Sequence, residues 1–342
     1  MLLRLIPFGS EGLGSGGEAA VTTVSDAGRF TFLNVATGRY TLEAAPGRGE
    51  FSIVSNLWTF TAPGRARLPR TAGVAITRVA GAGRFLSFAR DMSDAAVYWA
   101  RAEVEVSDRD IDDLTVELHE GSTIRGILQL DRDAQPPAHP YAALTLEPSI
   151  TNPVLVSPPI EVAGGEDPAD AWQNPRSFEI GGLTPGQYYL TTGAGTAIRS
   201  IAWGGRDNTR EPLQVWPGQD TSDVVVTVTT NVASVTGVVR DRSSLTIAEA
   251  AVVYFPTDAR EWEHLGFRPR RLGAVAADAG GVFRIADLPA GEYYVVALPL
   301  GHATAWRDPT FLAAVAPRAT RVEVAWGEAK VQDLRLQGVG PR

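Results

Sequence analysis

The sequence predicts an all-β protein made of three tandem antiparallel β-sandwich modules, the first of them truncated at its N-terminus, and three observations carry that prediction. One pattern occurs three times: Phe30-Thr-Phe32-Leu-Asn-Val35-Ala-Thr-Gly38-Arg-Tyr40-Thr-Leu42, then Phe178-Glu-Ile180-Gly-Gly-Leu183-Thr-Pro-Gly186-Gln-Tyr188-Tyr-Leu190, then Phe283-Arg-Ile285-Ala-Asp-Leu288-Pro-Ala-Gly291-Glu-Tyr293-Tyr-Val295. Repetition at this scale marks a recurring structural unit. The chain has 342 residues, too many for one small sandwich and suited to three units of roughly 100 residues each. Its 35 Gly and 23 Pro punctuate Val- and Thr-rich runs, which is how short strands and turns alternate.

The repeated pattern is itself read as a hairpin. Residues two apart share one face of a strand, so Phe30/Phe32 and Tyr40/Leu42 become inward-facing pairs on consecutive strands, with Gly38 at a corner that needs positive φ. Phe30, Tyr40, Phe178, Tyr188, Phe283 and Tyr293 are therefore assigned to the core, and each Gly-x-Tyr step to a tyrosine corner, in which a phenol returns to upstream backbone.

Upstream of the pattern, the second module has Ile124-Arg-Gly126-Ile-Leu128 followed by Ala143-Leu144-Thr-Leu146-Glu-Pro148. The third has Val235-Thr-Gly237-Val-Val239 followed by Val253-Tyr-Phe255-Pro256. The first has only the second of these elements, Leu3-Arg-Leu5-Ile-Pro7, so the chain starts one strand late and Met1 is expected to be a trimmed or mis-assigned start. Closing strands are expected at Asp112–Leu118, Ser222–Val228 and Val331–Leu336. These set module boundaries of 1–118, 119–231 and 232–342, with almost no spacer between modules and hence restricted hinges.

From motif tyrosine to closing strand takes 75 residues in the first module (Tyr40 to Thr115), 37 in the second (Tyr188 to Val225) and 40 in the third (Tyr293 to Asp333). The first therefore carries an insertion at about 48–95 that holds Arg48, Arg65, Arg67, Arg70, Arg78, Arg84 and Arg90, read as solvated arginines on extra strands such as Val74–Ile76 and Phe85–Phe88. The acidic stretch Glu161–Asp170 reads as a solvated loop. One helix is expected where Asp308 can cap, Pro309 can begin and Pro317 can stop it, closing one end of the last module.

Composition limits function. Net charge is −8, divided as 12 basic and 14 acidic residues over 1–118, 6 and 13 over 119–231, and 13 and 12 over 232–342. A net acidic chain without a basic stripe lacks the footprint of a general nucleic-acid binder. Cysteine is absent, which removes disulfides and thiol nucleophiles. No apolar run reaches the roughly 18 to 20 residues of a membrane-spanning helix.

The search for catalytic or metal chemistry returns little. His119, His139, His264 and His302 are scattered, with no zinc-ligand spacing. Asp108–Asp113 lacks the Gly and the distal Glu of a calcium loop, and Gly14-Ser-Gly16-Gly17 lacks the Lys-Ser/Thr and the helix of a phosphate loop. No catalytic residue, metal site or cofactor is assigned. Glu261-Trp-Glu263-His264 is the tightest ionisable cluster and is read as structural. Among eight tryptophans, Trp172 and Trp203, the latter beside Arg206, stand in loop-like surroundings where an indole could stack on a sugar.

With its x-Val-x-Gly-x-Val strand upstream and Val-Thr-Val strand downstream, the repeated unit resembles carboxypeptidase regulatory-like domains, the transthyretin-like (prealbumin-like) sandwiches of the carbohydrate-binding-like fold group. Asp278-Ala-Gly-Gly281-Val-Phe283 through Ala290-Gly291-Glu-Tyr293 is similar to that family's DGxFxFxxLPxGxY pattern, whereas Asn174-Pro-Arg-Ser-Phe178 lacks the Asp-Gly turn. The resemblance implies immunoglobulin-like or prealbumin-like modules that are not enzymes. It implies a bacterial extracytoplasmic location (periplasmic, cell-surface or secreted) and a spacer or interaction role, with a protein or polysaccharide as partner. Carbohydrate binding through loop tryptophans is the alternative.

Overall fold

A computed structural model describes residues 1–10, 18–45, 98–136, 144–148, 175–248, 250–263 and 269–338, together with the backbone of 74–77 and 85–88. Among the described residues the protein is mostly β, with 51% in strands and 8% in helix. Three of the expected tryptophan, histidine and loop assignments (Trp172, His139 and His264), the insertion's arginines, and the segments 14–17 and 161–170 lie outside the described residues. Of the insertion, the strands Val74–Thr77 and Phe85–Phe88 pair antiparallel.

Residues 122–229 form a sandwich. One layer runs Arg176–Leu183, Ser122–Leu130, Thr221–Thr229, Ala197–Trp203, Arg206–Asp207; the other runs Leu213–Val215, Gly186–Thr191, Thr145–Pro148. Side chains of both layers share one core, with Ile124, Phe178 and Val224 from the first and Leu146, Tyr188 and Leu213 from the second. Residues 233–336 repeat the plan. Val282–Leu288, Ala233–Arg240 and Ala329–Val331 form one layer, and Gly273–Ala276, Ala250–Pro256, Gly291–Pro299 and Thr320–Val324 form the other. Val235, Phe283, Val252, Tyr293 and Val322 meet between them.

The repeated motif differs from the expected hairpin. Arg176–Leu183 pairs with Ser122–Leu130, whereas Gly186–Thr191 pairs with Thr145–Pro148 and Leu213–Val215 in the opposite layer. The two halves therefore face each other across the core and are not hydrogen-bonded neighbours. The same holds for Val282–Leu288 and Gly291–Pro299. At equivalent positions Asn34, Gly182 and Asp287 take φ of 56°, 71° and 57°, residue types that enter the left-handed region at low cost. Gly182 and Asp287 sit in bulges, because Leu183 and Leu288 still pair with Ser122 and Ala233 in the first layer. The chain changes layer between Leu183 and Gly186 and between Leu288 and Gly291, and Gly186 and Gly291 open the second-layer strands at φ of 158° and 150°.

Gly38, Gly186 and Gly291 precede the corner tyrosine by two residues on the same face; the phenol ring lies over Gly38 and Gly186, with Tyr40 Cε2 3.5 Å and Tyr188 Cε2 3.7 Å from where a Cβ would stand, whereas over Gly291 lies the Arg271 guanidinium. From there each hydroxyl donates to the carbonyl four residues upstream: Tyr40 to Ala36 at 2.9 Å, Tyr188 to Thr184 at 2.8 Å and Tyr293 to Pro289 at 2.7 Å. All three rings are buried. Phe178 and Phe283 are buried too, whereas Phe30 is half-buried and lies outside any strand.

The reason for that difference lies in the central strand of the first layer. In the two complete sandwiches the glycine-centred strand pairs antiparallel with the motif's first strand and parallel with the closing strand, Gly126 standing opposite both Phe178 and Val224. Residues 1–45 and 98–120 supply one layer, in the order Ala20–Thr23, Leu2–Pro7, Gly38–Ala45, Tyr98–Val106, His119–Glu120. Phe30–Val35 and the expected closing strand Asp112–Leu118 rest on its core without strand pairing. Among the described residues, neither has a glycine-centred strand beside it to bond.

Asp308 caps the helix Pro309–Val315 by accepting from the Thr310 amide at 2.8 Å. The helix lays Phe311, Leu312 and Val315 on the outer face of the last layer against Val253, Phe255, Trp262, Val296 and Leu298. It therefore adds a third layer, where the sequence suggested an end cap.

Candidate functional site

The described residues meet around a cleft of about 290 Å³ where residues 189–210 approach 260–290 and Trp326. Its composition follows from the outer sheet face. On Thr145–Pro148 and Gly186–Thr191, alternation that sends Leu146, Tyr188 and Leu190 inward sends Glu147 and Tyr189 outward. Glu147 is nevertheless only 4% exposed, and it lies within electrostatic reach of Arg270.

Five arginines line the cleft: Arg199, Arg210, Arg260, Arg270 and Arg271. Four are engaged. Arg271 Nη1 contacts both Glu261 oxygens at 2.7 and 2.5 Å, both side chains being 15% exposed, and Arg271 also lies over the Tyr293 ring with its centre 5.1 Å from the ring centroid. Arg210 reaches the same carboxylate at 3.6 Å from the preceding sandwich. Arg199 pairs with Asp131 at 3.8 Å and covers the indole of Trp326 at 4.8 Å. Arg260 closes on Asp258 at 2.7 Å, and this pairing holds the Asp258 carboxyl down at about 2. Desolvation lowers the Arg270 guanidinium to about 10, while Glu147 works against that shift.

Burial pushes Tyr293 up to about 12, opposed by Arg271. A phenol at that value is protonated at neutral pH and spends its proton on Pro289, so it is a poor acid and no base. The carboxylates Glu261 and Asp258 are held in ion pairs, and Asp207 accepts from the hydroxyl and amide of Thr209, which lowers its pKa. The arrangement is a set of charge clamps, of which the Arg210–Glu261 pair and the Arg199–Trp326 contact cross from one sandwich to the next. Residues 259–262 form a short 3-10 helix that buries Trp262, whose indole N–H donates to Pro256 at 2.8 Å.

Trp203 and Arg206 are brought together as the two ends of a Gly204-Gly205 turn. Trp203 leans on the core of its sandwich and is half-buried, and Arg206 is exposed. Trp216, not singled out in the sequence, presents far more indole to solvent, at 55% exposure. His119 packs against Trp99 with centroids 5.2 Å apart and His302 stacks on Phe311 at 5.9 Å. Among the described residues no group of three or more His, Cys, Asp or Glu could hold a metal ion, and no helix is long and apolar enough to cross a membrane.

No family model matches the chain, and no curated protein matches it. Solved structures similar to it include the Bacillus anthracis TIE protein, at 9% identity and TM-score 0.22, covering 98% of this chain and 51% of that one. A streptococcal ancillary pilin has 14% identity and TM-score 0.25, covering 94% of this chain and 81% of that one. GBS52, the minor pilin of Streptococcus agalactiae, has 14% identity and TM-score 0.25, covering 65% and 98%. The chain thus spans about half the length of the TIE protein. The likeness is one of build, at low TM-scores.

Proposed function

We propose that the chain is a non-catalytic string of three β-sandwich units, residues 1–118, 119–231 and 232–342, of the carboxypeptidase regulatory-like kind. In this reading it works outside the cytoplasm, in the periplasm, at the cell surface or secreted, as a spacer or interaction scaffold. The observation that carries it is the junction between the last two units, which is built to hold an angle. The strand Thr221–Thr229 ends and Ala233–Arg240 begins with three residues between them. Within that connection the Asn231 amide nitrogen donates backward to the Asp133 carbonyl at 2.9 Å, its own carbonyl accepts forward from the Gly327 amide at 2.8 Å, and Thr230 Oγ1 donates to Gln135 at 2.7 Å. Arg199 on Trp326 and Arg210 on Glu261 add a second line of contact. A linker bonded to both neighbours transmits position, which is what a spacer requires.

The chain has no native cysteine, so spin labels at Ser222→Cys and Arg284→Cys report the junction directly. Electron–electron distance measurements on the full chain are expected to give one narrow distribution; a broad one overturns the stiff-spacer reading.

Polysaccharide binding is the second reading, favoured by Trp216, whose exposed indole is free to stack on a sugar ring. Retardation of the chain in polysaccharide-loaded gels that disappears with Trp216→Ala supports it, and unretarded migration across a panel of polysaccharides excludes it.

A further inference from the structure

The cleft between the second and third sandwiches differs in charge from the chain that forms it. The protein carries a net charge of −8, yet the described wall of the cleft holds five guanidinium groups against two carboxylates, Asp207 and Glu261. Both carboxylates are engaged: Glu261 serves Arg271 and Arg210 together, and Asp207 accepts from the hydroxyl and amide of Thr209. Asp131 and Asp258, which pair with Arg199 and Arg260, hold them from outside that wall.

The arginines are engaged to different degrees. Arg271 and Arg260 make hydrogen bonds of 2.7 Å to their carboxylates. Arg199 stands 3.8 Å from Asp131 and Arg210 stands 3.6 Å from Glu261, distances that give Coulomb attraction without a hydrogen bond. A guanidinium has five N–H donors and no acceptor, so these two side chains, both from the second sandwich, keep their donors for another partner. They are 39% and 62% exposed and line the same cavity of about 290 Å³. Arg270 adds a charge from the third sandwich whose desolvation outweighs the help it receives from Glu147, and an anion beside it would offset that cost.

We propose that this cleft binds a phosphate group, with the N–H forks of Arg199 and Arg210 as its donors and Arg270 as added charge. The guanidinium fork matches phosphate oxygens in pairs. A phosphate offers more acceptor oxygens than a carboxylate and up to two charges, which suits cations that converge from two sandwiches. Tyr189, Pro289 and Trp326 give the same wall apolar surface, so the group is either free or borne by a sugar. The volume sits at the small end of ligand sites. The proposal goes beyond the spacer reading and does not rest on it, since the distance measurement at 222 and 284 reports stiffness whether or not an anion binds.

The probes are inorganic phosphate, a glucose phosphate and galacturonate, titrated into the full chain by isothermal calorimetry at an ionic strength fixed with sodium chloride. Saturable binding of a phosphate probe is expected, at least ~10-fold tighter than galacturonate. Tighter binding of the glucose phosphate assigns the group to a sugar, and equal affinity assigns it to the free ion. Arg199→Gln and Arg210→Gln should each weaken binding at least ~10-fold. Arg210 is exposed, so its variant keeps the fold and the parent melting temperature. Arg321→Gln, which removes an exposed guanidinium paired with Glu292 outside the described wall, should leave binding unchanged. No saturable heat with either phosphate probe, galacturonate binding as tight as theirs, parent-like affinity in Arg199→Gln or Arg210→Gln, or equal weakening in Arg321→Gln overturns the proposal.

Discussion

The hydroxyl of Tyr293 donates to the carbonyl of Pro289 at 2.7 Å with the ring wholly buried, and the same four-residue return occurs at Tyr188 and Tyr40. The bond ties the end of one layer to the start of the other, where the chain changes sheets. Tyr293→Phe keeps the ring but strands a buried carbonyl and removes a partner of Arg271 Nε, at 3.3 Å. The expected loss is about 1–3 kcal/mol, read as a lowered midpoint in chemical denaturation.

That phenol also sets an alkaline limit. Its folded pKa, about 12, lies above the ordinary tyrosine value of 10.0, so the unfolded chain ionises first. Its contribution is constant below pH 10 and is lost between pH 10 and 12, as the unfolded form alone releases the proton. Burial raises Tyr188 and Tyr254 in the same direction. Stability measured across that window is expected to fall, and less steeply in Tyr293→Phe; an unchanged slope contradicts the assignment.

Phe283 and Phe30 occupy the same place in the motif with different cover. Phe283→Ala is expected to cost about 3–5 kcal/mol, as a fully buried aromatic does. Phe30→Ala should cost less than half of that, because no strand lies over it. Equal losses in the two variants, measured by urea denaturation, mean that Phe30 is covered in solution.

These contrasts mark what the sequence could tell. The period-two apolar residues and the turn residues made the strands legible, and the Gly-x-Tyr step made the buried phenol legible. Spacing could not distinguish a hairpin from a crossover between layers, because Phe178 and Tyr188 point into one core in either case. Gly182 and Asp287, which take positive φ at one equivalent position, mark only the bulge that precedes the crossing. The arginine cleft was not legible. Arg199, Arg210, Arg271 and Trp326 are far apart in sequence, and charge carries no period that reports which sheet face will meet another chain segment. Trp203 and Trp216 look alike in sequence, and only packing distinguishes the half-buried indole from the exposed one.

The glycine of the central strand offers a sharper check on the sandwich. Gly126→Ala places a methyl group against the Val224 carbonyl and the Phe178 ring, and neither backbone nor a core aromatic can yield cheaply. The expected loss is about 1–3 kcal/mol or more. Gly193→Ala, where nothing lies within 4 Å, should be neutral or slightly stabilising through the unfolded chain. Thermal melting of the two single variants separates them, and a neutral Gly126→Ala refutes the parallel pairing of Ser122–Leu130 with Thr221–Thr229.

Glu261 is the hinge of the charge clamp, since its carboxylate takes Arg271 within its own sandwich and Arg210 from the preceding one. The two contributions can be told apart by where each arginine sits. Arg271 is 15% exposed, so Glu261→Gln leaves its guanidinium poorly solvated and unpaired; the loss should approach, without reaching, the ~3–5 kcal/mol of a fully buried pair. Arg210 is 62% exposed, so Arg210→Ala should change stability by less than ~1 kcal/mol. Its effect belongs to geometry, because it is a charge contact that crosses the junction. The 222–284 distance distribution is therefore expected to broaden in Arg210→Ala while the melting temperature stays close to that of the parent. If Arg210→Ala instead lowers the melting temperature as much as Glu261→Gln does, the cleft stabilises the fold and does not orient the two sandwiches.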